Sequence, residues 1–352
     1  MKKTFITIAF ASVAGMLFGG NVCTWTGRGA DNKWGTPENW DAPPVSGQGD
    51  QLVLNDAGET ENDIEGFEIG SIVFGGTADA KLVGKTVSFA GGTTVDTLLL
   101  SNAVVLAIDT PLNLAEGGKG YFMSEESEKT IDFNGRITLG AGALLRIGRA
   151  GGEGKVFPRL TFNAPIEGPE ATVLTAHGIN GDPYWQAGIW FMKPVRVKYF
   201  SAAKDSGGNN IHFCASGNVW EGASVQFAYI VAEAEDAFST TGILDWRNTT
   251  FSGGVDMSYE YVPESTTHSR YDLNGNNQTI DRICNTDYPD FPWGDPRPPM
   301  NAYVVNSDTP AVLTMKATGD GRCHAVVNGK VSLVWDPEGN YTMIFSNRVN
   351  TT

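Results

Sequence analysis

Short apolar runs recur along the chain from residue 50 to about residue 162, and each run ends at Gly, Asn, Asp or Thr. The runs are built mainly from β-branched and other apolar side chains, as in QLVL at position 51, TVSF at 86 and RLTF at 159. Runs of this length, bounded by turn-forming residues, predict β-strands. We find no stretch of eleven or more residues with the 3.6-residue apolar period of a helix, so the pattern predicts an all-β fold.

The spacing of these runs leaves two kinds of all-β architecture open. Strands at intervals of roughly 8 to 12 residues are also typical of sandwiches and barrels. The segment FNGRITL, residues 133–139, places a polar Asn-Gly corner directly before a new apolar run, which favours stacked coils. A solenoid coil cannot bury its apolar face alone, so coils stack and the first coil needs a cover.

Three tryptophans lie close together near the start of the chain, in the stretch WTGRGADNKWGTPENW, at Trp25, Trp34 and Trp40. The glycines between them permit tight bends, and Pro37 fixes another. Trp buries a large flat surface and usually needs a partner for its indole N–H. We favour a structural cap, a folded-over loop whose rings cover the open end of a core. The alternative is a wet aromatic face that stacks on sugars.

The tryptophan stretch resembles the W-x-G-x(n)-W-x(4)-N-W opening of bacterial surface proteins built from autotransporter-associated β-strand repeats. The segment LNGNNQTI, residues 273–280, is similar to the L-x-G-x-x-Q-T-I coil of the same family. The resemblance covers these two stretches, and the rest of the chain only as a pattern. It implies a right-handed parallel β-helix, or β-solenoid, with an N-terminal tryptophan-rich cap and inserted loops. It also implies display outside the cell.

The start of the chain has the composition of a secretory signal, because Lys2 and Lys3 precede the apolar run FITIAFASVAGMLFGG. We therefore expect a signal peptide at residues 1–20, the cap at 21–50 and a β-solenoid at 51–352, with an irregular insertion around 285–301. The chain ends like a family repeat whose next coil does not follow, so we expect a solenoid truncated at its C-terminal end. Secretion or cell-surface display, with no transmembrane segment after cleavage, is the expected localisation.

Charge and cysteine spacing narrow the possible partners. Asp and Glu number 40 against 25 Lys and Arg, a net charge of −15, and loss of the leader makes the chain more acidic. Such a surface repels nucleic acid and anionic membranes. Cys23, Cys214, Cys284 and Cys323 are widely spaced without C-x-x-C, so we expect no zinc site. Their disulfide pairing stays open, and so does the possibility that they are free and buried.

Two aromatic segments are candidate ligand-binding faces. In HGINGDPYWQAGIWFMKPVRVKYF, residues 177–200, a turn would present Tyr184 and Trp185, whereas the competing interpretation places the rings of the segment in the interior. The second segment is the proline-rich loop 285–301, which would bind a sugar or calcium, since carboxylate oxygens suit calcium. Packing of that loop against the wall by its own rings is the alternative. Its candidate ligand-binding residues are Asp287, Tyr288, Asp290, Trp293 and Asp295.

We find no complete catalytic constellation in the sequence. The tripeptide Asn-Thr-Asp at 285–287 resembles one polygalacturonase motif, but the paired aspartates, G-H-G and R-I-K of that family do not follow. G-x-S-x-G and H-E-x-x-H motifs are missing as well. We therefore predict a structural, adhesive or surface-display protein with no catalytic residues, no metal site and no cofactor, and leave calcium binding by the loop 285–301 open. Surface glycans or further copies of the chain are the expected partners. The alternatives are a polysaccharide lyase or hydrolase, or a non-catalytic glycan-binding module, on the same fold.

Overall fold

A computed structural model describes residues 20–90, 98–100, 106–124, 130–149, 159–176, 188–203, 210–226, 229–240, 243–245, 269–284, 303–323, 326–345 and 349–351. Within these ranges the chain forms β-strands and one 3₁₀ turn, Pro37–Asn39. The predicted all-β fold class is therefore confirmed.

The first strands in chain order are β1 (Val22–Thr24), β2 (Gln51–Asn55), β3 (Glu59–Asn62), β4 (Phe67–Ile69), β5 (Ser71–Gly75), β6 (Ala80–Gly84), β7 (Val87–Phe89), β8 (Leu98–Leu100), β9 (Leu106–Ile108) and β10 (Leu112–Leu114). The next are β11 (Lys119–Ser124), β12 (Ile131–Phe133), β13 (Ile137–Leu139), β14 (Leu144–Arg149), β15 (Leu160–Phe162), β16 (Ile166–Ala176), β17 (Gly188–Phe191), β18 (Val195–Ala203), β19 (Asn210–Phe213) and β20 (Gly222–Gln226). The last are β21 (Tyr229–Ala232), β22 (Ile243–Asp245), β23 (Ser269–Asp272), β24 (Gln278–Ile280), β25 (Ile283–Cys284), β26 (Tyr303–Met315), β27 (Gly321–Cys323), β28 (Val326–Trp335), β29 (Met343–Phe345) and β30 (Val349–Thr351).

The strands pair in parallel, and in chain order they fall into repeating sets of three. The set β2, β3, β4 is followed by β5, β6, β7, and each strand pairs with its counterpart in the next set. Gln51 lies opposite Ser71 and Thr60 opposite Leu82, for example. The same pairing continues through β8–β10 and β11–β13. Among the described residues, two long parallel sheets result, of 17 and 13 strands.

Further along the chain, long strands take part in two ladders at once. The strand β16 pairs with β13 through its first half and with β14 through its second half. A register shift between Gly168 and Thr172 separates the two halves where β16 pairs with β18. β26 and β28 show the same division, with a shift between Ser307 and Ala311. The repeat of three strand positions thus persists, although one long strand now occupies two of these positions without a loop between them.

One interior row of the 13-stranded sheet is a stack of phenylalanines. Phe133, Phe162, Phe191 and Phe213 lie opposite one another on β12, β15, β17 and β19, and all four are buried. Successive ring centroids are 4.6, 5.1 and 5.2 Å apart. These distances follow from the spacing of parallel strands, which places identical positions about 4.8 Å apart. Each stacked pair contributes about 0.5–1.5 kcal/mol beyond the burial of its surface.

The three tryptophans of the N-terminal stretch are buried where the ladders begin. Trp25, Trp34 and Trp40 are 8%, 1% and 5% exposed. Trp40 makes edge-to-face contacts with Trp25 and Trp34, at centroid distances of 5.0 and 6.1 Å. Trp34 in turn meets Phe67 of β4 at 5.7 Å, so the cluster is continuous with the interior of the ladders. The indole N–H of Trp40 donates to the carbonyl of Trp34 at 2.9 Å.

The backbone of the tryptophan stretch also satisfies carbonyl groups of the first strands. The N–H of Trp25 donates to the carbonyl of Val53 on β2, at 2.9 Å. The N–H of Trp34 donates to the carbonyl of Glu61 on β3, also at 2.9 Å. An uncovered sheet edge invites pairing with other chains, and these contacts cover part of the edge.

The buried side chain of Asn39 ties this loop together. Its amide N–H groups donate to the carbonyls of Asp31 and Lys33, both at 3.0 Å, and its Oδ1 accepts from the N–H of Gly29 at 2.8 Å. A Cβ atom on Gly29 would lie 2.6 Å from that Oδ1, so only glycine fits. The Asn-Trp pair of the motif therefore consists of one residue that organises the loop and one that packs over the core.

Replacing Trp40 by alanine should lower the free energy of unfolding by about 3–5 kcal/mol, because a buried ring and its hydrogen bond are both lost. Urea unfolding followed by circular dichroism measures this change. Val45→Ala is the matched control, since Val45 is 51% exposed in the same segment and its truncation should leave the midpoint in place. An unchanged midpoint in Trp40→Ala would contradict the capping role.

Candidate functional site

The ligand-binding residues predicted from the sequence lie outside the described part of the chain. This applies to both segments, and the residues are Tyr184, Trp185, Asp287, Tyr288, Asp290, Trp293 and Asp295. The aromatic segment that follows Trp185 is described, and its rings divide between the two faces. Phe191 and Phe200 are buried in the interior, whereas Trp190 alternates outward and Tyr199 is 48% exposed. The interpretation that the rings of this segment lie in the interior therefore holds for Phe191 and Phe200 but not for Trp190 and Tyr199.

One group of chemically active side chains in the described ranges lies on the outer face of the 13-stranded sheet. We call it the outer stack, and it consists of Arg159, Trp190, His212 and Glu233. Trp190 and His212 lie opposite each other on β17 and β19, and their rings stack in parallel with centroids 3.7 Å apart. The guanidinium carbon of Arg159 lies 4.6 Å from the Trp190 ring centroid.

The glycine at the start of β17 makes room for this stack. A Cβ atom on Gly188 would lie 2.5 Å from Nε1 of Trp190, well inside van der Waals contact. The indole therefore folds down over the backbone of its own strand. In that position it reaches the imidazole on β19, the next strand of the ladder.

A carboxylate continues the outer stack toward the following strands. Nδ1 of His212 and Oε1 of Glu233 are 2.7 Å apart, and the side-chain amide of Asn274 donates to Oε2 of Glu233 at 2.9 Å. Asn274 has φ +49°, in the left-handed region that Asn tolerates better than most residues. Both oxygens of Glu233 thus have a partner from a different strand or turn.

Burial determines the protonation of His212. Only 14% of its side chain is exposed, and burial lowers the pKa of His212 below its ordinary value, while the hydrogen bond and charge of Glu233 oppose that shift. The charge of Arg159 acts in the same direction as burial. The imidazole is therefore neutral at neutral pH, and its Nδ1–H donates to the carboxylate.

The cysteine beside the outer stack is not an activated nucleophile. Burial and then the charge of Glu233 raise the pKa of the Cys214 thiol to about 11, so it stays protonated at neutral pH. Cys23 is buried near Asp50, and burial followed by the Asp50 charge raises its pKa to about 12. Both are free thiols, and the side chains of Cys284 and Cys323 lie outside the described part of the chain.

This geometry ties strands together and offers little to a ligand. β15 and β19 flank β17 on opposite sides, so Arg159 and His212 cover the two faces of Trp190. A sugar ring cannot stack on an indole whose faces are both occupied. Within the described ranges, no group of three or more His, Cys, Asp or Glu side chains is placed to hold a metal ion.

Other polar side chains on the outside join neighbouring strands in the same way. The amide of Asn134 donates to Asp109 at 2.6 Å, and the amide of Asn163 donates to Asn134 at 2.8 Å. Lys81 extends this row through an ion pair with Asp109 at 3.2 Å. These residues follow or belong to β6, β9, β12 and β15, so the row crosses four successive strands.

Sequence reasoning did not single out the members of the outer stack. A usable signal is the alternation within aligned apolar triplets, LTF at 160, IWF at 189, IHF at 211 and IVA at 230. The middle residue of each triplet faces outward, because side chains alternate along a strand. Aligning the triplets places Trp190 beside His212. It does not reveal that Glu233 and Arg159 reach the same place.

A comparison of the chain with known protein families, with curated proteins and with solved structures found no match.

Replacing Gly188 by alanine should displace the Trp190 indole and destabilise the protein by about 1–3 kcal/mol, as expected for overpacking. The same substitution made in a Trp190→Ala background should cost much less, because the clash is gone. Urea unfolding of the single and double variants gives this coupling. Gly222→Ala is the matched control, since a Cβ there would meet the Tyr199 ring at an ordinary 3.6 Å. Equal costs in both backgrounds would contradict the packing described.

The lowered pKa of His212 predicts a loss of stability at acid pH. Between the folded-state pKa and the ordinary value of 6.5, the unfolded chain binds a proton that the folded chain does not. The free energy of unfolding should therefore be constant near pH 7.5 and fall as the pH drops below about 6.5 toward the lower pKa of the folded state. His212→Asn keeps an N–H donor for Glu233 but does not titrate, so it should reduce this dependence. Urea midpoints that shift equally with pH in both proteins would contradict the assignment.

Proposed function

We propose that this chain is an exported parallel β-solenoid with a structural, adhesive or surface-display role and no catalysis of its own. The observation that carries the proposal is the use of the outer polar groups. The side chains of the outer stack link one strand to the next in register. The row of polar side chains that includes Asp109 and Asn134 does the same. An enzyme needs such groups to converge around a substrate with unoccupied atoms.

The threefold repetition of parallel strands supports the solenoid. Each set of three strands buries its apolar side chains against the preceding set, which is how the coils of a solenoid form a continuous core. The N-terminal tryptophan cluster then serves as the cover that the first coil needs. Bulky rings close the open end, and the backbone of the loop pairs with the first strands.

The second family-like stretch, LNGNNQTI, also supports the proposal. Its Gln278 is buried, and its side-chain amide donates to the carbonyl of Ala234 at 2.8 Å. Oε1 of Gln278 accepts from the N–H of Phe238 at 3.0 Å, and the amide of Asn276 donates to Ala232 at 2.9 Å. The segment therefore forms a corner that is hydrogen-bonded to the preceding turn, an arrangement that suits stacked coils.

Export is proposed from the leader at residues 1–20 and from that resemblance. Among the described residues, no helix combines the length and apolar character needed to span a membrane. The net charge of −15 also suits an exported protein, because chains of like charge repel one another and stay dispersed.

To test export, the chain is expressed with its leader in a bacterial host and the cells are fractionated. The N-terminus of the product is then determined by mass spectrometry. We expect an extracytoplasmic product that has lost about twenty residues. The purified product is then incubated with plant and host polysaccharides, and no reducing ends or unsaturated uronates should appear. A cytoplasmic, uncleaved product would overturn export. Turnover that disappears in Asp287→Asn would replace the structural role by a carbohydrate-active enzyme.

A further inference from the structure

An exposed turn near the end of the described chain carries an acceptor sequence for N-linked glycans. The turn connects β28 and β29 and contains Asn340-Tyr341-Thr342, which fits the N-x-S/T pattern. Asn340 and Thr342 are exposed, and Tyr341 is 38% exposed. Glu338, two positions before the asparagine, is exposed as well.

The backbone around Asn340 is held while its side chain is left available. The N–H of Thr342 donates to Oδ1 of Asp320 at 2.8 Å, and the N–H of Tyr341 donates to the carbonyl of Gly339 at 3.0 Å. Within the described part of the chain, no hydrogen bond or ion pair involves the amide of Asn340. The turn therefore presents that amide to the solvent.

A second N-x-S/T sequence in the described chain provides a contrast. In Asn277-Gln278-Thr279, Oδ1 of Asn277 accepts from the N–H of Val312 at 2.8 Å, and Nδ2 lies 3.4 Å from a Glu235 oxygen. The middle residue, Gln278, is buried. This amide is part of the corner described above, so folding withdraws it from a transferase. The same pattern at Asn248, and the side chain of the asparagine at Asn350, lie outside the described residues.

We propose that Asn340 is a site of N-linked glycosylation. Nδ2 of Asn340 forms a bond to the anomeric carbon of an oligosaccharide carried on a lipid diphosphate. The bond between that carbon and the diphosphate oxygen breaks, the lipid diphosphate leaves, and the amide proton passes to a base of the transferase. The proposal rests on the export proposed above, because lipid-linked donors are used on the extracytoplasmic side of the membrane.

The experiment treats the folded, purified chain with a bacterial oligosaccharyltransferase and a lipid-diphosphate-linked oligosaccharide, and maps the modified peptides by mass spectrometry. We expect glycan on Asn340 and none on Asn277. Modification of Asn340 should disappear in Asn340→Gln and in Thr342→Ala and persist in Thr342→Ser. When the chain is first unfolded in urea and diluted into the reaction, Asn340 should still be modified, which shows that the enzyme and donor are active.

Each result has a defined meaning. Glycan on Asn340 that depends on Thr342 supports the proposal. A folded chain that stays unmodified at Asn340 while its unfolded form is modified there would overturn it, because the turn would then not be accessible. Modification of Asn277 in the folded chain at the same rate as Asn340 would overturn the selectivity argued from the hydrogen bonds. Export is measured separately by cell fractionation, so a failure of export and a failure of glycan transfer are distinguishable.

Discussion

The register of the parallel strands is the constraint on which the rest of this structure depends. Phe133, Phe162, Phe191 and Phe213 stack in the interior because each occupies the same position in its strand. A slip of one residue in any of these strands would turn its phenylalanine outward and a polar residue inward. The gap left in the row would cost several kcal/mol, as buried large-to-small changes do. Packing inside the ladder thus specifies the register of the paired strands. The register in turn determines which side chains lie next to one another on the outer face.

The outer stack is a consequence of the same register. Trp190 and His212 each precede an interior phenylalanine by one position, so the interior pairing of Phe191 with Phe213 fixes the exterior pairing of the two rings. The glycine at position 188 then decides how the indole lies, since any side chain there would collide with it. Arg159 and Glu233 complete the row from the neighbouring strands. Polar groups placed in this way reinforce the ladder from outside.

Several reactive groups at the outer stack are engaged by neighbouring protein groups or by burial. The oxygens of Glu233 are occupied by His212 and Asn274, and the Cys214 thiol is held protonated by burial. Hydrogen bonds and burial therefore decide which atoms of these side chains are left available to the solvent. The same logic distinguishes Asn277 from Asn340, two asparagines in similar sequences with opposite availability.

The sequence by itself determined the all-β class, because short β-branched runs between turn formers leave no helical period. It also singled out the tryptophan stretch, since three large rings among glycines need to be buried somewhere. Tertiary structure decided which residues meet. Arg159 and Glu233 are 74 positions apart and come together only because parallel strands stack in register, and local patterns carry no record of that distance. The partners of Gln278 and Asn277 are likewise groups of other strands and turns, so the burial or availability of these two side chains depends on the folded chain.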